Sequence, residues 1–94
     1  MYRIKIDKKF EKSLDKLKKK GLKQKHVDGL YIAVGILSRG EKLDSYYRDH
    51  KLHGEYDGYR ECHIQGDLLL VYQIIKNELV LVLIDIGTHN DLFG

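Results

Sequence analysis

Proline is absent from all 94 residues. No strand is therefore demoted to an edge by a missing donor, and no slow cis-proline step attends folding. Cysteine occurs once, as Cys62, so no internal disulfide can form, which fits a reducing cytoplasm. No apolar run nears the roughly 20 residues that span a bilayer. The opening MYRIKIDKKF lacks the apolar core of a signal peptide. A hydrophobic content of 43% is ordinary for a globular fold and argues against disorder. A chain this short buries roughly 60% of its unfolded surface, enough for one core. The expectation is a single domain over residues 1–94, cytoplasmic and without a membrane partner.

Acidic residues are scarce at the start. Residues 1–26 hold 11 Lys or Arg against 3 acids, a net of +8, whereas the remainder carries −5. A basic lobe of this kind attracts polyanions through phosphate contacts and counterion release. A solvated Lys-rich helix face that merely aids solubility is the plainer explanation of the same charges.

The chain shows no repeat, linker or low-complexity segment. Tyr2, Ile4 and Ile6 alternate with Arg3 and Lys5, as in a short half-buried strand. Asp7 is placed to cap a helix with the stripe Phe10, Leu14 and Leu17, and Gly21 breaks it. A second helix from about Lys23 to Ser38 turns Val27, Leu30, Tyr31, Val34 and Leu37 inward, and Gly40 follows as its C-terminal glycine. Residues 41–58 read as a long polar loop, which in a small domain usually carries function or is disordered. YRECHI (59–64), LLLVYQII (68–75) and ELVLVLIDI (78–86), joined at Gln65-Gly66 and Lys76-Asn77, form an antiparallel meander. The fold class is α+β, in the order β-α-α-β-β-β, with both helices on one face of an antiparallel sheet.

Four of the five histidines lie outside the helical half: His50, His53, His63 and His89. Asp67 follows His63 across a tight turn, so the two are expected near each other. Alternation puts Tyr59, Glu61 and His63 on one strand face and Arg60, Cys62 and Ile64 on the other. A face carrying His and Glu is a poor core face and a good floor for a site. Histidine titrates near cellular pH, and RNA cleaves itself once its 2′-hydroxyl is deprotonated and its 5′-oxygen protonated. Such chemistry needs no metal or other cofactor and no protein nucleophile. A zinc set drawn from His50, His53, His63 and Asp67 is the competing reading, though its spacing matches no compact metal motif. Cys62 points core-ward and is a poor nucleophile.

DHKLHGEYDGYRECHIQGDLLLVYQI (49–74) and the tail GTHNDLFG (87–94) resemble the signature of YafQ-type toxins, a branch of the RelE superfamily. The resemblance implies a ribosome-dependent mRNA endonuclease, neutralised by a cognate antitoxin in a higher oligomer. Carried over by motif position, it assigns catalysis to His50, His63, Asp67 and His89. It gives Phe93 a base contact and sets Glu61 and Arg60 at positions flanking the RNA, although Leu92-Phe93 can equally pin the tail to the core. Lys51, where relatives often carry proline, is a further basic residue placed to contact the RNA phosphate. Which histidine is base and which is acid stays open. The basic helix, with Lys16, Lys18, Lys19, Lys20, Lys23 and Lys25, suits docking to ribosomal RNA or to an acidic antitoxin segment. One departure stands out: Asp85 occupies a position where relatives commonly carry an arginine able to meet the phosphate. A carboxylate there would repel the phosphate, so a weakened homologue is one alternative. A same-fold binding toxin of the ParE kind, which inhibits gyrase, is another.

Overall fold

Two glycines in the left-handed region, Gly21 at φ 93° and Gly40 at φ 77°, stop the first two helices. At each, the amide one residue further on reaches back five positions: Leu22 N–H to the Leu17 carbonyl (3.0 Å) and Glu41 N–H to that of Ile36 (3.2 Å). These bonds satisfy carbonyls that a helix end leaves without partners. The computed structural model describes all 94 residues. In chain order they form β1 (Arg3–Ile6), α1 (Lys8–Lys19), α2 (Gln24–Ser38), β2 (His50–Lys51), β3 (Arg60–Gln65), β4 (Leu68–Ile75), β5 (Val80–Thr88) and α3 (His89–Phe93). Short 3-10 turns occupy Ser45–Tyr47, Gly54–Tyr56 and Lys76–Glu78. Asp7 does sit at the N-cap of α1, but its side chain makes no capping bond.

The sheet order is β1-β5-β4-β3-β2. The β3–β4–β5 meander is antiparallel as read from sequence, and β2 extends it antiparallel beyond β3. β1 departs from an all-antiparallel sheet, since it pairs parallel with β5. Parallel neighbours need a crossover, and the chain between β1 and β5 supplies one. The segment 41–58 is likewise more than a loop: it contributes β2 and two 3-10 turns. β5 begins later than its apolar run because Leu79, at φ 56°, closes the preceding turn in the left-handed region.

One sheet face makes the core. Cys62, Ile64, Leu70, Tyr72, Leu81, Leu83 and Ile86 meet Phe10, Leu30, Ala33, Val34 and Leu37 from the helices. Gly29 lets α2 come close, because a Cβ there would sit 3.1 Å from Ile64 Cγ2. Tyr31 does not turn inward: it is 72% exposed, and Ala33 takes the inner position. Positions 30, 33, 34 and 37 follow the i, i+3, i+4, i+7 stripe, and residue 31 lies about 100° round the helix from Leu30. α1 is tied to β5 by a buried carboxylate. Asp85 accepts from Ser13 Oγ (2.6 Å) and from the Ile86 amide (2.9 Å), with Lys9 Nζ at 3.5 Å.

Candidate active site

The opposite sheet face carries the polar chemistry. Register pairs His50 on β2 with Glu61 on β3, and alternation sets His63 beside them on that face. His50 Nδ1 lies 2.7 Å from the Arg48 carbonyl oxygen. A carbonyl only accepts, so Nδ1 carries the proton and Nε2 is left to exchange one. That Nε2 is 3.5 Å from Glu61 Oε1, and His63 Nε2 approaches the same oxygen at 3.9 Å. The Glu61 side chain is only 5% exposed, whereas those of His50 and His63 are 49% and 31% exposed. Its second oxygen, Oε2, is buried without a hydrogen-bond partner. One buried carboxylate therefore lies within ion-pairing reach of two partly exposed imidazoles. A proton gained by either imidazole would have Glu61 as its counter-charge.

The tail joins this face through the sheet. His63 pairs with Leu69, and Leu69 pairs in turn with Gly87, so one cross-strand row leads from the histidine to the root of α3. A Cβ at Gly87 would meet Asp91 Cβ at 2.9 Å, so glycine lets α3 fold back sharply. Thr88 and Asp91 form a capping box. The Thr88 amide and hydroxyl hold the Asp91 carboxyl below its usual range, with Lys20 and Lys16 of the basic helix adding to the effect. His89 opens α3 with its ring centroid 5.3 Å from that of Phe93. Phe93 also meets Tyr56 edge-on at 5.2 Å, and Tyr56 Oη donates to the Leu92 carbonyl at 3.2 Å. Tyr56 is thus the strut that seats α3, a role no sequence spacing signalled.

The remaining site residues make no hydrogen bond or ion pair with His50 or His63. Asp67 is exposed in the β3–β4 turn and makes no hydrogen bond or ion pair with His63, whose carboxylate partner is Glu61. Leu68, which follows Asp67, pairs with Thr88, which precedes His89. Arg60 and Lys51 pair with each other on the face away from the histidines. Arg60 Nε is bound to Asp49 Oδ1 (3.2 Å), which also accepts from the buried Tyr72 hydroxyl at 2.6 Å. Burial opposes the charge on Arg60, but the bonds to Asp49 and Tyr72 outweigh it and raise its pKa. Neither residue type nor spacing signalled that Asp49, next to His50, ties β2 down. Cys62 is fully buried, and burial, with the charges of Asp49 and Glu61, pushes its thiol up to about 12. The set His50, His53, His63 and Asp67 is not assembled: His53 lines the cavity beneath the loop with Arg60, and no metal-holding cluster of His, Cys, Asp or Glu forms.

A family model for a bacterial toxin of type II toxin–antitoxin systems, YafQ, matches residues 2–94. The chain belongs to the YafQ toxin family. The mRNA interferase toxin YafQ of Escherichia coli K12 is 30% identical over 97% of this chain and 84% of its own length. A metal-bound toxin from Helicobacter pylori superposes with a TM-score of 0.87 at 44% identity, over 99% of this chain and all of that one. YafQ in the E. coli DinJ-YafQ complex superposes at 0.85 with 27% identity, over the whole of both chains. Among the features of this YafQ-family chain, Asp85 now has an explanation of its own. Its side chain is 10% exposed and taken up by Ser13, Lys9 and the Ile86 amide, so it serves the α1–β5 joint.

Proposed function

We propose that this chain is a ribosome-dependent mRNA endonuclease whose reacting groups are His50, His63, Asp67 and His89. The observation that carries the reading is the pair of partly exposed imidazoles beside one buried carboxylate. The name mRNA interferase toxin borne by the E. coli relative supports it. His50 Nε2 takes the proton from the 2′-hydroxyl, and the 2′-oxygen bonds to phosphorus. The bond from phosphorus to the 5′-oxygen then breaks, that oxygen receives a proton from His89, and Asp67 of the β3–β4 turn assists the base. His63, paired with Glu61, steadies the charge that builds on the phosphate. The products are a 2′,3′-cyclic phosphate and a 5′-hydroxyl, and no step requires a metal or cofactor.

Phe93, seated by Tyr56, supplies a face on which a base stacks. Arg60 and Lys51 take no part at the phosphate in this reading, since they serve the other face. Lys16, Lys18, Lys19, Lys20, Lys23 and Lys25 are all exposed, and they dock the protein to ribosomal RNA. The DinJ-YafQ complex of the relative supports a cognate antitoxin as partner. In this reading the toxin–antitoxin assembly holds several chains and acts in the cytoplasm. A reporter mRNA in a translating extract tests the chemistry. Fragments ending in cyclic phosphate and 5′-hydroxyl are expected, and an intact reporter in a translating extract contradicts the proposal.

A further inference from the structure

β2 pairs with β3 only through His50 and Lys51, so the edge of β3 beyond them has no strand partner. The Ser45–Tyr47 turn stands there instead and borders a groove of about 810 Å³. Asp44, Tyr46 and Arg48 wall one side, and His63, Gln65 and Gly66 wall the other. His63 of the proposed site is therefore one of the groove's lining residues.

Its lining is suited to a nucleotide. The Tyr46 ring is 65% exposed yet braced edge-on against Tyr47 at 5.4 Å, and Tyr47 packs on the core. An aromatic ring that is both open and braced is a stacking surface for any base. The Arg48 guanidinium has no ion-pair or hydrogen-bond partner, although ion pairs and side-chain bonds occupy Arg39 and Arg60. Arg48 also holds the left-handed conformation at φ 49° and ψ 41°, which costs a non-glycine residue free energy. Its carbonyl is the acceptor that orients His50, so one strained residue couples the groove to the proposed base. Asp44, another lining residue, accepts from the Tyr46 amide through Oδ1, and its second carboxylate oxygen has no hydrogen-bond partner. Gln65 on the far wall is half-buried and makes no side-chain hydrogen bond.

We propose that this groove binds the nucleotide next to the scissile phosphate, with its base on Tyr46 and its own phosphate on Arg48. The inference rests on the RNA-cleavage reading above. A carboxylate repels phosphate and accepts from amino groups, so Asp44 and Gln65 mark the base end of the groove. The base preferred there carries an exocyclic amino group, which disfavours uracil.

Cleavage of a reporter mRNA in a translating extract, mapped to the nucleotide, tests this with four variants. Tyr46→Ala is expected to lower kcat/KM about tenfold, mainly through KM, because base–aromatic stacking is worth that much. Tyr46→Phe keeps the ring and is expected to restore it. Arg48→Gly is expected to lower kcat/KM while melting no lower than the parent, since glycine accepts the left-handed backbone. Asp44→Asn is expected to let uracil in at the flanking position. A parent that cuts while Tyr46→Ala and Arg48→Gly cut equally well, with unchanged base preference, overturns the groove and leaves the cleavage reading standing. A parent that cuts nothing overturns both.

Discussion

Glu61 is the residue on which the site turns, because its one oxygen faces both His50 and His63. Glu61→Gln keeps the shape and removes the charge. It is expected to lower kcat for mRNA cleavage about a hundredfold, the lower range for positioned acid–base groups, while circular dichroism stays that of the parent. Below Glu61's strand neighbour the chemistry is inert. Burial raises the Cys62 thiol to about 12, so the folded protein keeps a proton that the unfolded chain loses near pH 8.5. The stability this lends is fully present below pH 8.5 and declines as pH rises towards 12. Urea unfolding at pH 8 and pH 10 is expected to show a loss about 2 kcal/mol smaller in Cys62→Ala than in the parent. Histidines, carboxylate and strand alternation made this much legible in sequence. The bond from His50 to the Arg48 carbonyl was not, because it depends on a left-handed backbone at an arginine, and nothing in the residue type signals it.

Elements place these residues, and two joints matter most. The α1–β5 joint rests on Asp85, whose bonds to Ser13 and the Ile86 amide lie in a nearly buried setting. Asp85→Ala is expected to cost roughly 1–3 kcal/mol and to lower Tm, measured by thermal unfolding. Asp85→Arg is expected to destabilise further and not to raise cleavage, since the guanidinium would replace a satisfied carboxylate beside Lys9. The family position two residues before Gly87 set Asp85 near the phosphate, and a position in a motif does not tell what a buried carboxylate bonds to. β5 slips register between its pairings with Val71 and Tyr72, next to Asp85. The second joint is Tyr56 to α3. Tyr56→Phe removes the bond to the Leu92 carbonyl and is expected to cost about 1 kcal/mol and to lower cleavage, with His63 chemistry otherwise intact. The helices and meander were legible from periodicity. β2 and α3 were not, because two paired residues and a five-residue tail helix are too short to show a period.

At the scale of the whole molecule, charge and site are related. Lys16 and Lys20 act on Asp91 of α3, so the basic end of α1 lies on the side of the molecule where the tail carries His89. A polyanion drawn to the lysines is thereby brought towards the proposed site. Ribosome binding should weaken steeply with salt, each neutralised phosphate contributing about −0.9 to the logarithmic slope on duplex. Lys16→Gln and Lys20→Gln together are expected to flatten that slope by nearly two, and a salt-insensitive affinity would count against rRNA docking.

The central claim is cleavage of translated mRNA by this histidine site. Primer-extension mapping of mRNA after brief induction in cells, comparing the parent with His63→Ala, tests it most directly. Discrete new ends within translated regions, absent in the folded variant, are the predicted result. Growth arrest without new ends, or the same ends from both proteins, would contradict it.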